Sequence, residues 1–142
     1  MKKFGYILLQ ISAYLIIAGG IGDLMMTFLF DSLPASHLTY LKVKSEAVSI
    51  ELKNLDHAFL RAIGGCIIAI GIGALTIIYG PIRKGLKQPI IPLLCMVTIG
   101  EGGNSLQMIL VDSPYFYFPF ICVIITWSGV VFWWYGNKYE TK

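Results

Sequence analysis

The chain has 142 residues, of which 56% are hydrophobic and only 13% carry a charge. Charged residues make up about a quarter of ordinary soluble domains, so this composition excludes a water-soluble globular fold. The formal net charge of +3 comes from short basic clusters at the edges of long apolar blocks. Such clusters indicate the orientation of a membrane protein and not a nucleic-acid-binding patch. We therefore expect membrane lipids, and no nucleic acid, as partners.

Four apolar segments predict four transmembrane helices, at about residues 4–30, 57–80, 90–111 and 115–135. Each is long enough, at about 1.5 Å per residue, to cross a hydrocarbon core of roughly 30 Å. The first apolar run is too long for a signal peptide, so we expect it to be a retained span. Short connections make the last three segments antiparallel neighbours. The sequence predicts one all-α domain over residues 1–142, an integral membrane four-helix bundle.

The basic residues predict the orientation of this bundle. The amino terminus, the 81–89 loop and the carboxyl terminus together hold seven Lys and Arg residues. The connection at 31–56 holds only three, and acidic residues offset them. Cytoplasmic loops carry the excess of positive charge, so we expect both termini in the cytoplasm and the protein in the inner (plasma) membrane. Aromatic residues at both ends of the fourth span agree with this frame.

The outer connection at 31–56 permits two conformations. Between Leu41 and Leu52, apolar residues alternate with polar ones, which favours a short β-hairpin outside the membrane. Leu41, Val48, Leu52 and Leu55 also share one helical face, which is typical of an amphipathic helix at the membrane interface. The alternation favours the hairpin, and the interfacial helix is the alternative.

Small residues predict where helices approach closely. Ala18 and Gly22 in the first span, and Gly65, Ala69 and Gly73 in the second, have the four-residue spacing that lets transmembrane backbones touch. We expect these residues to mediate contact within one chain or between the subunits of a homo-oligomer.

Ionisable groups inside a membrane span each cost at least about 2.5 kcal/mol on insertion scales, so each needs a physical reason. The helical rise places Asp23 about 9 Å, and Arg61 about 11 Å, to the outer side of the bilayer centre. Because the two are level, we expect them to pair, which would remove most of the cost of burying each. His57 lies one turn above Arg61 on the same helix face.

Glu101 lies deeper, within about 2 Å of the bilayer centre by the same estimate. Its side chain leans away from Arg61, so we expect it to lack a cationic partner and to be protonated much of the time. A neutral acid can donate a hydrogen bond to a ligand or take part in proton transfer. Asn104 shares its helix face, and neighbouring glycines weaken the helix and leave room for a ligand.

These residues support three hypotheses. The first is a polar pocket in the outer half of the bundle that binds or transports a small or lipid-like ligand, with or without coupling to a proton. The second is a membrane-embedded acid–base enzyme, such as an isomerase of a lipid-soluble substrate, with Glu101 as acid and His57 or Asp23 as base. The third is a structural subunit of a membrane complex, in which the same groups form a satisfied hydrogen-bond network. The predicted ligand-binding residues are Asp23, His57, Arg61, Glu101 and Asn104.

Several kinds of site are excluded by their missing motifs. The sequence has no phosphate-binding loop, HExxH motif, nucleophile elbow or haem-attachment motif. Two histidines, His37 and His57, are too few for an ordinary transition-metal site unless carboxylates join them. We therefore expect no metal and no cofactor, and we expect His37 to be solvated. Each cysteine lies inside an apolar block without a CxxC spacing, which predicts no disulfide: Cys66, Cys95 and Cys122.

The second span opens with Arg61-Ala62-Ile63-Gly64-Gly65, and it follows an outer connection in a chain of 142 residues. In this motif and in its four apolar spans, the chain resembles the DoxX-like group of small bacterial membrane proteins. The resemblance in hydropathy covers the whole chain. It implies a four-helix membrane fold, and it assigns no activity because the group is functionally heterogeneous.

Overall fold

The computed structural model describes residues 1–30 and 32–140, with side chains as far as Lys138. Lys142, which contributed to the charge count, lies outside the described residues. The described chain is all-helical, as predicted. A 3₁₀ turn precedes the third helix, and a π-helical turn extends its carboxyl end. The elements in chain order are α1 (Lys2–Leu29), α2 (Ala35–Leu41), the 3₁₀ turn Ser45–Ala47, α3 (Ile50–Ile77), the π turn Ile78–Ile82, α4 (Ile90–Leu110) and α5 (Tyr117–Glu140).

Within the described residues, three helices are long and apolar enough to cross a membrane: α1, α3 with its π turn, and α5. The fourth long helix, α4, has 21 residues but is not one of these three. Its polar stripe of Glu101, Asn104 and Gln107 lowers its mean hydropathy. Hydropathy alone therefore supports three spans, and the position of α4 has to be argued from its packing.

The predicted β-hairpin in the 31–56 connection is wrong, because the described residues of that connection form helices and turns and no strand. The helix α3 begins at Ile50, well inside the connection. Ser49 caps it by accepting a hydrogen bond from the backbone amide of Leu52 at 3.2 Å. Glu51 in the first turn also complements the helix dipole. These helix-start signals outweigh the alternation of apolar residues that favours strands.

The long helices pack side by side, with α1 between α3 and α5. α1 runs antiparallel to both. Gly20 faces Gly64 of α3, and Thr27, further along α1, contacts Arg61, which is earlier in α3. Ser12 contacts Thr126 of α5, and Gly5, earlier in α1, faces Trp133, which is later in α5. α4 packs against α5 and, less extensively, against α3. The core between them is aliphatic apart from Cys122 and one tryptophan: Leu9, Ala13, Ile16, Ile67, Ala74, Ile78, Ile82, Ile90, Leu93, Val97, Cys122, Val130 and Trp133.

The close approach of α1 and α3 uses other small residues than the predicted ones. A methyl group at Gly20 would lie 2.6 Å from the carbonyl oxygen of Gly64, so the two backbones are in direct contact. α1 and α3 each carry small residues on more than one helix face. The face that packs is the one that also carries the aliphatic core residues, because burying them is favourable. Most of the predicted stripe is exposed instead: Ala18, Gly22, Gly65 and Ala69.

A buried hydroxyl cluster connects α1 to α5. The hydroxyl of Ser12 lies 2.8 Å from the carbonyl oxygen of Cys122 and 2.7 Å from the hydroxyl of Thr126. Thr126 lies 2.9 Å from the same carbonyl oxygen. Buried polar groups must find their hydrogen-bond partners within the protein, and these three groups do so.

Candidate functional site

A cavity of about 320 Å³ lies between α1, α3, α4 and the chain that leads into α5. We call it the acidic cavity, because Asp23 reaches it from α1 and Glu101 reaches it from α4. Asn104, one turn further along α4, adds an amide. The remaining lining is small, apolar or aromatic: Gly19, Gly22, Ile67, Met108, Tyr115, Tyr117, Phe118 and Pro119.

Glu101 is the most deeply buried ionisable residue in this lining, with only 2% of its surface exposed. Its Oε1 atom has no hydrogen-bond partner among the described residues. An unpaired buried polar atom costs roughly 1–3 kcal/mol, and such atoms are rare in native proteins. Methyl groups added at Gly102 or Gly103 would meet nothing within 4 Å, so these glycines leave open space beside the helix. The carboxyl group thus lies in the cavity lining with hydrogen-bonding capacity that no described residue uses.

Asp23 and Asn104 are partly buried in the same lining. None of the hydrogen bonds and ion pairs in the described part of the chain involves either side chain. Two carboxylates in one low-dielectric cavity repel each other, and a bound proton or cation relieves that repulsion. The cavity therefore combines unused hydrogen-bonding capacity with an excess of acidic groups.

The expected pair of Asp23 and Arg61 does not form. The guanidinium of Arg61 donates to the hydroxyl of Thr27 at 3.2 Å and to its carbonyl oxygen at 3.4 Å. It also lies 4.8 Å from the centre of the Phe28 ring, a cation–π distance. The long Arg side chain leans towards the amino terminus of its helix, so it meets α1 about one turn beyond Asp23.

His57 is buried but does not line the acidic cavity. Its Nε2 atom lies 3.5 Å from the backbone carbonyl oxygen of Ser32. This contact joins the first part of α3 to the chain that leaves α1. Of the five predicted ligand-binding residues, the cavity thus brings together three and leaves out His57 and Arg61.

A second cavity, of about 390 Å³, adjoins the acidic cavity and shares Asp23, Met108 and Tyr115 with it. Its lining also includes residues of α2, of the turn between α4 and α5, and Met26, Pro34 and Leu60. Both cavities therefore lie at the end of the bundle opposite the chain termini. The arrangement offers a route from that end of the protein towards Glu101.

His37, expected from the sequence to be solvated, lines the second cavity and keeps 24% of its side-chain surface exposed. Its Nδ1 atom lies 2.6 Å from Oδ1 of Asp56. The short helix α2 brings the two residues together. No spacing in the sequence indicates this contact, because it depends on how α2 folds back against α3.

The aromatic part of the acidic cavity is also missing from the sequence prediction. Tyr115, Tyr117 and Phe118 have the pattern of interface anchors at the end of a span, which is the usual position of such residues. In the structure they line the cavity as well. Only the packing of α4 against α5 shows that their rings and Glu101 share one space.

Within the described residues, no three His, Cys, Asp or Glu side chains are grouped so that they could hold a metal ion. The lining of the acidic cavity offers hydrogen-bonding groups, acidic groups and aromatic rings. Comparisons with protein-family models, with curated proteins and with solved structures found no match. The functional interpretation rests on the residues of the site alone.

Proposed function

We propose that this chain is a four-span protein of the inner (plasma) membrane that binds a small or lipid-like ligand in the acidic cavity, with both termini in the cytoplasm. The observation that carries the proposal is Glu101, a buried carboxyl that lines a cavity together with Asp23 and Asn104 and whose Oε1 has no partner among the described residues. Binding leads to transport if the ligand leaves on the other side, with or without a proton. Membership of the DoxX-like group stays a prediction.

The packing of α4 supports a fourth span. α4 lies against α3 and α5, two helices that are apolar enough to cross a membrane. Ser105 of α4 donates a hydrogen bond to the carbonyl oxygen of Phe116 at 2.8 Å, and Trp127 of α5 donates to Thr98 at 3.0 Å. Glu101, the costliest residue of the helix in lipid, points into the protein. A helix held in this way can cross the bilayer despite its lower hydropathy.

The proposed orientation predicts which connections face the outside. Two single-cysteine variants test this orientation. Ser45→Cys, before α3, lies on the outer side in the proposed orientation, and Lys84→Cys, before α4, lies on the cytoplasmic side. We expect a membrane-impermeant maleimide to label the Ser45 variant in intact cells and the Lys84 variant only after permeabilisation. Labelling of both variants in intact cells would contradict the orientation. The background for both carries alanine at the native cysteines: Cys66, Cys95 and Cys122.

Binding can be tested with three small probes of the same shape: phenyltrimethylammonium (a cation), tert-butylbenzene (its neutral isostere) and benzenesulfonate (an anion). We expect at least one probe to bind the protein in nanodiscs, and Glu101→Gln to weaken that binding at least tenfold. Gln keeps the shape and a hydrogen-bond donor but cannot ionise, so thermal stability should be unchanged. Saturation-transfer NMR measures the affinity, and empty nanodiscs provide the blank.

The matched control is Glu46→Gln, the same chemical change at an exposed position in the 3₁₀ turn. This control should bind like the original protein. The proposal fails if none of the three probes binds, or if Glu101→Gln binds every probe as well as the original protein does.

The acid–base enzyme hypothesis has less support. Asp23 and Glu101 share the acidic cavity, which the enzyme would need. His57, the other candidate base, instead contacts the carbonyl oxygen of Ser32. Ligand binding needs only the groups that the cavity presents, so it is the simpler conclusion.

A further inference from the structure

We propose that the acidic cavity is selective for an organic cation, namely a protonated or quaternary amine that carries an apolar group. The inference rests on the proposed function and adds the chemical class of the ligand. It is drawn from the charge, the aromatic content and the size of the cavity.

The charge of the lining is one-sided. Asp23 and Glu101 contribute two carboxyl groups, and the described lining contains no Lys, Arg or His. Arg61 is the basic residue of α3 that lies nearest in sequence to Ile67 of the lining. Its guanidinium donates hydrogen bonds to Thr27 and lies over the ring of Phe28, so it does not enter the cavity. An ionised carboxylate in this lining would repel an anionic ligand and attract a cation, and a bound cation would in turn favour the ionised form of both acids. A neutral ligand would gain neither attraction.

The unpaired Oε1 of Glu101 is an independent indication of a ligand at this position. The side chain is almost completely buried, so water outside the protein does not solvate it. A protonated amine in the cavity can donate a hydrogen bond to the carboxylate of Glu101, and a quaternary ammonium can neutralise its charge without one. Asn104 offers a further carbonyl oxygen in the same lining.

The aromatic residues of the lining suit the same ligand class. Tyr115, Tyr117 and Phe118 line the same cavity as the two carboxyls. Aromatic rings attract cations through the negative potential of their faces, and rings grouped with acidic residues recognise quaternary ammonium groups. Ile67 and Met108 add apolar surface for the non-polar part of the ligand.

The size of the cavity sets a limit on the ligand. About 320 Å³ is at the lower end of the range of small-molecule pockets, so a head group with one ring fits. The adjoining cavity of about 390 Å³ begins at Asp23, Met108 and Tyr115. A longer apolar chain attached to the cation can extend there.

The isosteric probes test this selectivity directly, because they differ in charge and hardly in shape. We expect phenyltrimethylammonium to bind the protein in nanodiscs at least tenfold more tightly than tert-butylbenzene, and benzenesulfonate to bind more weakly than either. Asp23→Asn should reduce this preference for the cation at least fivefold. Asp112→Asn, the same change at an exposed residue in the turn after α4, should leave it intact.

The possible results separate this inference from the proposed function. If tert-butylbenzene binds as tightly as the cation and Glu101→Gln weakens both, the cavity is a ligand site but the assignment to cations is overturned. Tightest binding of benzenesulfonate also overturns it. If no probe binds, the inference and the proposed function both fail. A thermal unfolding curve for Asp23→Asn establishes that it is folded, and Asp23→Glu, which keeps the charge, should retain the preference.

Discussion

We expect Gly20→Val to destabilise the protein by about 3 kcal/mol, because the new side chain cannot fit between α1 and α3. A first methyl group at Gly20 would already lie 2.6 Å from the carbonyl oxygen of Gly64 and 2.9 Å from the backbone nitrogen of Ile68. Backbone atoms cannot move aside as a flexible side chain can, so the helices must separate. Lipid is as apolar as the side chains, so close packing supplies much of the stability of the bundle.

The matched control is Gly22→Val, two residues further along the same helix, where an added methyl meets nothing within 4 Å. Both changes replace glycine by the same β-branched residue, so their helix-propensity terms cancel. The difference between the two unfolding free energies in detergent micelles therefore reports the packing against α3. Equal losses of stability would show that α1 and α3 do not meet at Gly20 and Gly64.

The bounds of the long helices follow partly from apolar runs and partly from the residues that end helices. The segment predicted at 90–111 corresponds to α4 (Ile90–Leu110), because Pro89 and the turn after Val111 limit it on both sides. The apolar pattern places the start of the second span at about residue 57, whereas α3 begins at Ile50. The alternating residues before 57 favour strands, while the Ser49 cap favours a helix. Here the hydrogen bond of the helix cap outweighs the strand-like alternation, and the apolar pattern alone does not include that contribution.

The packing face of α1 shows a second limit. Four-residue spacing of small residues occurs on more than one face of a glycine-rich helix, so spacing alone cannot select the buried one. Gly20 lies on the face that also buries Ile16, whereas Gly22 lies on the face that remains exposed. The choice depends on which face carries the larger aliphatic surface to be matched by α3 and α5.

Part of the candidate site can be predicted from the sequence, because an ionisable residue inside an apolar span is costly to bury and therefore stands out. Asp23, Glu101 and Asn104 line one cavity in the structure. The placement of Arg61 required the direction of a long side chain, which carries its charge about one turn away from its own level. The contact of His37 with Asp56 required the position of α2, which no periodicity indicates. Ligand binding by these residues stays a prediction.

We expect Glu101→Leu to raise the free energy of unfolding by about 1–3 kcal/mol, the usual cost of an unpaired buried polar group. Leucine is larger than glutamate by about one methylene group, which the adjacent cavity can accommodate, and it brings no polar atom into the space that Oε1 now occupies. The same variant should lose the binding of phenyltrimethylammonium. Unfolding in detergent micelles measures the first effect, and saturation-transfer NMR in nanodiscs measures the second.

A control with the opposite sign is Ser12→Ala. Ser12 is a buried polar residue whose hydroxyl is paired with Cys122 and Thr126, so its removal should lower stability by about 1 kcal/mol. If Glu101→Leu is destabilising in the same way, Glu101 belongs to a satisfied network, and the protein is a structural subunit rather than a binding protein. A gain in stability together with a loss of binding would support the binding site, because Glu101 would then destabilise the fold and be needed for the ligand. Proteins retain a destabilising group where function requires it, and Glu101 would then be the residue at which this chain does so.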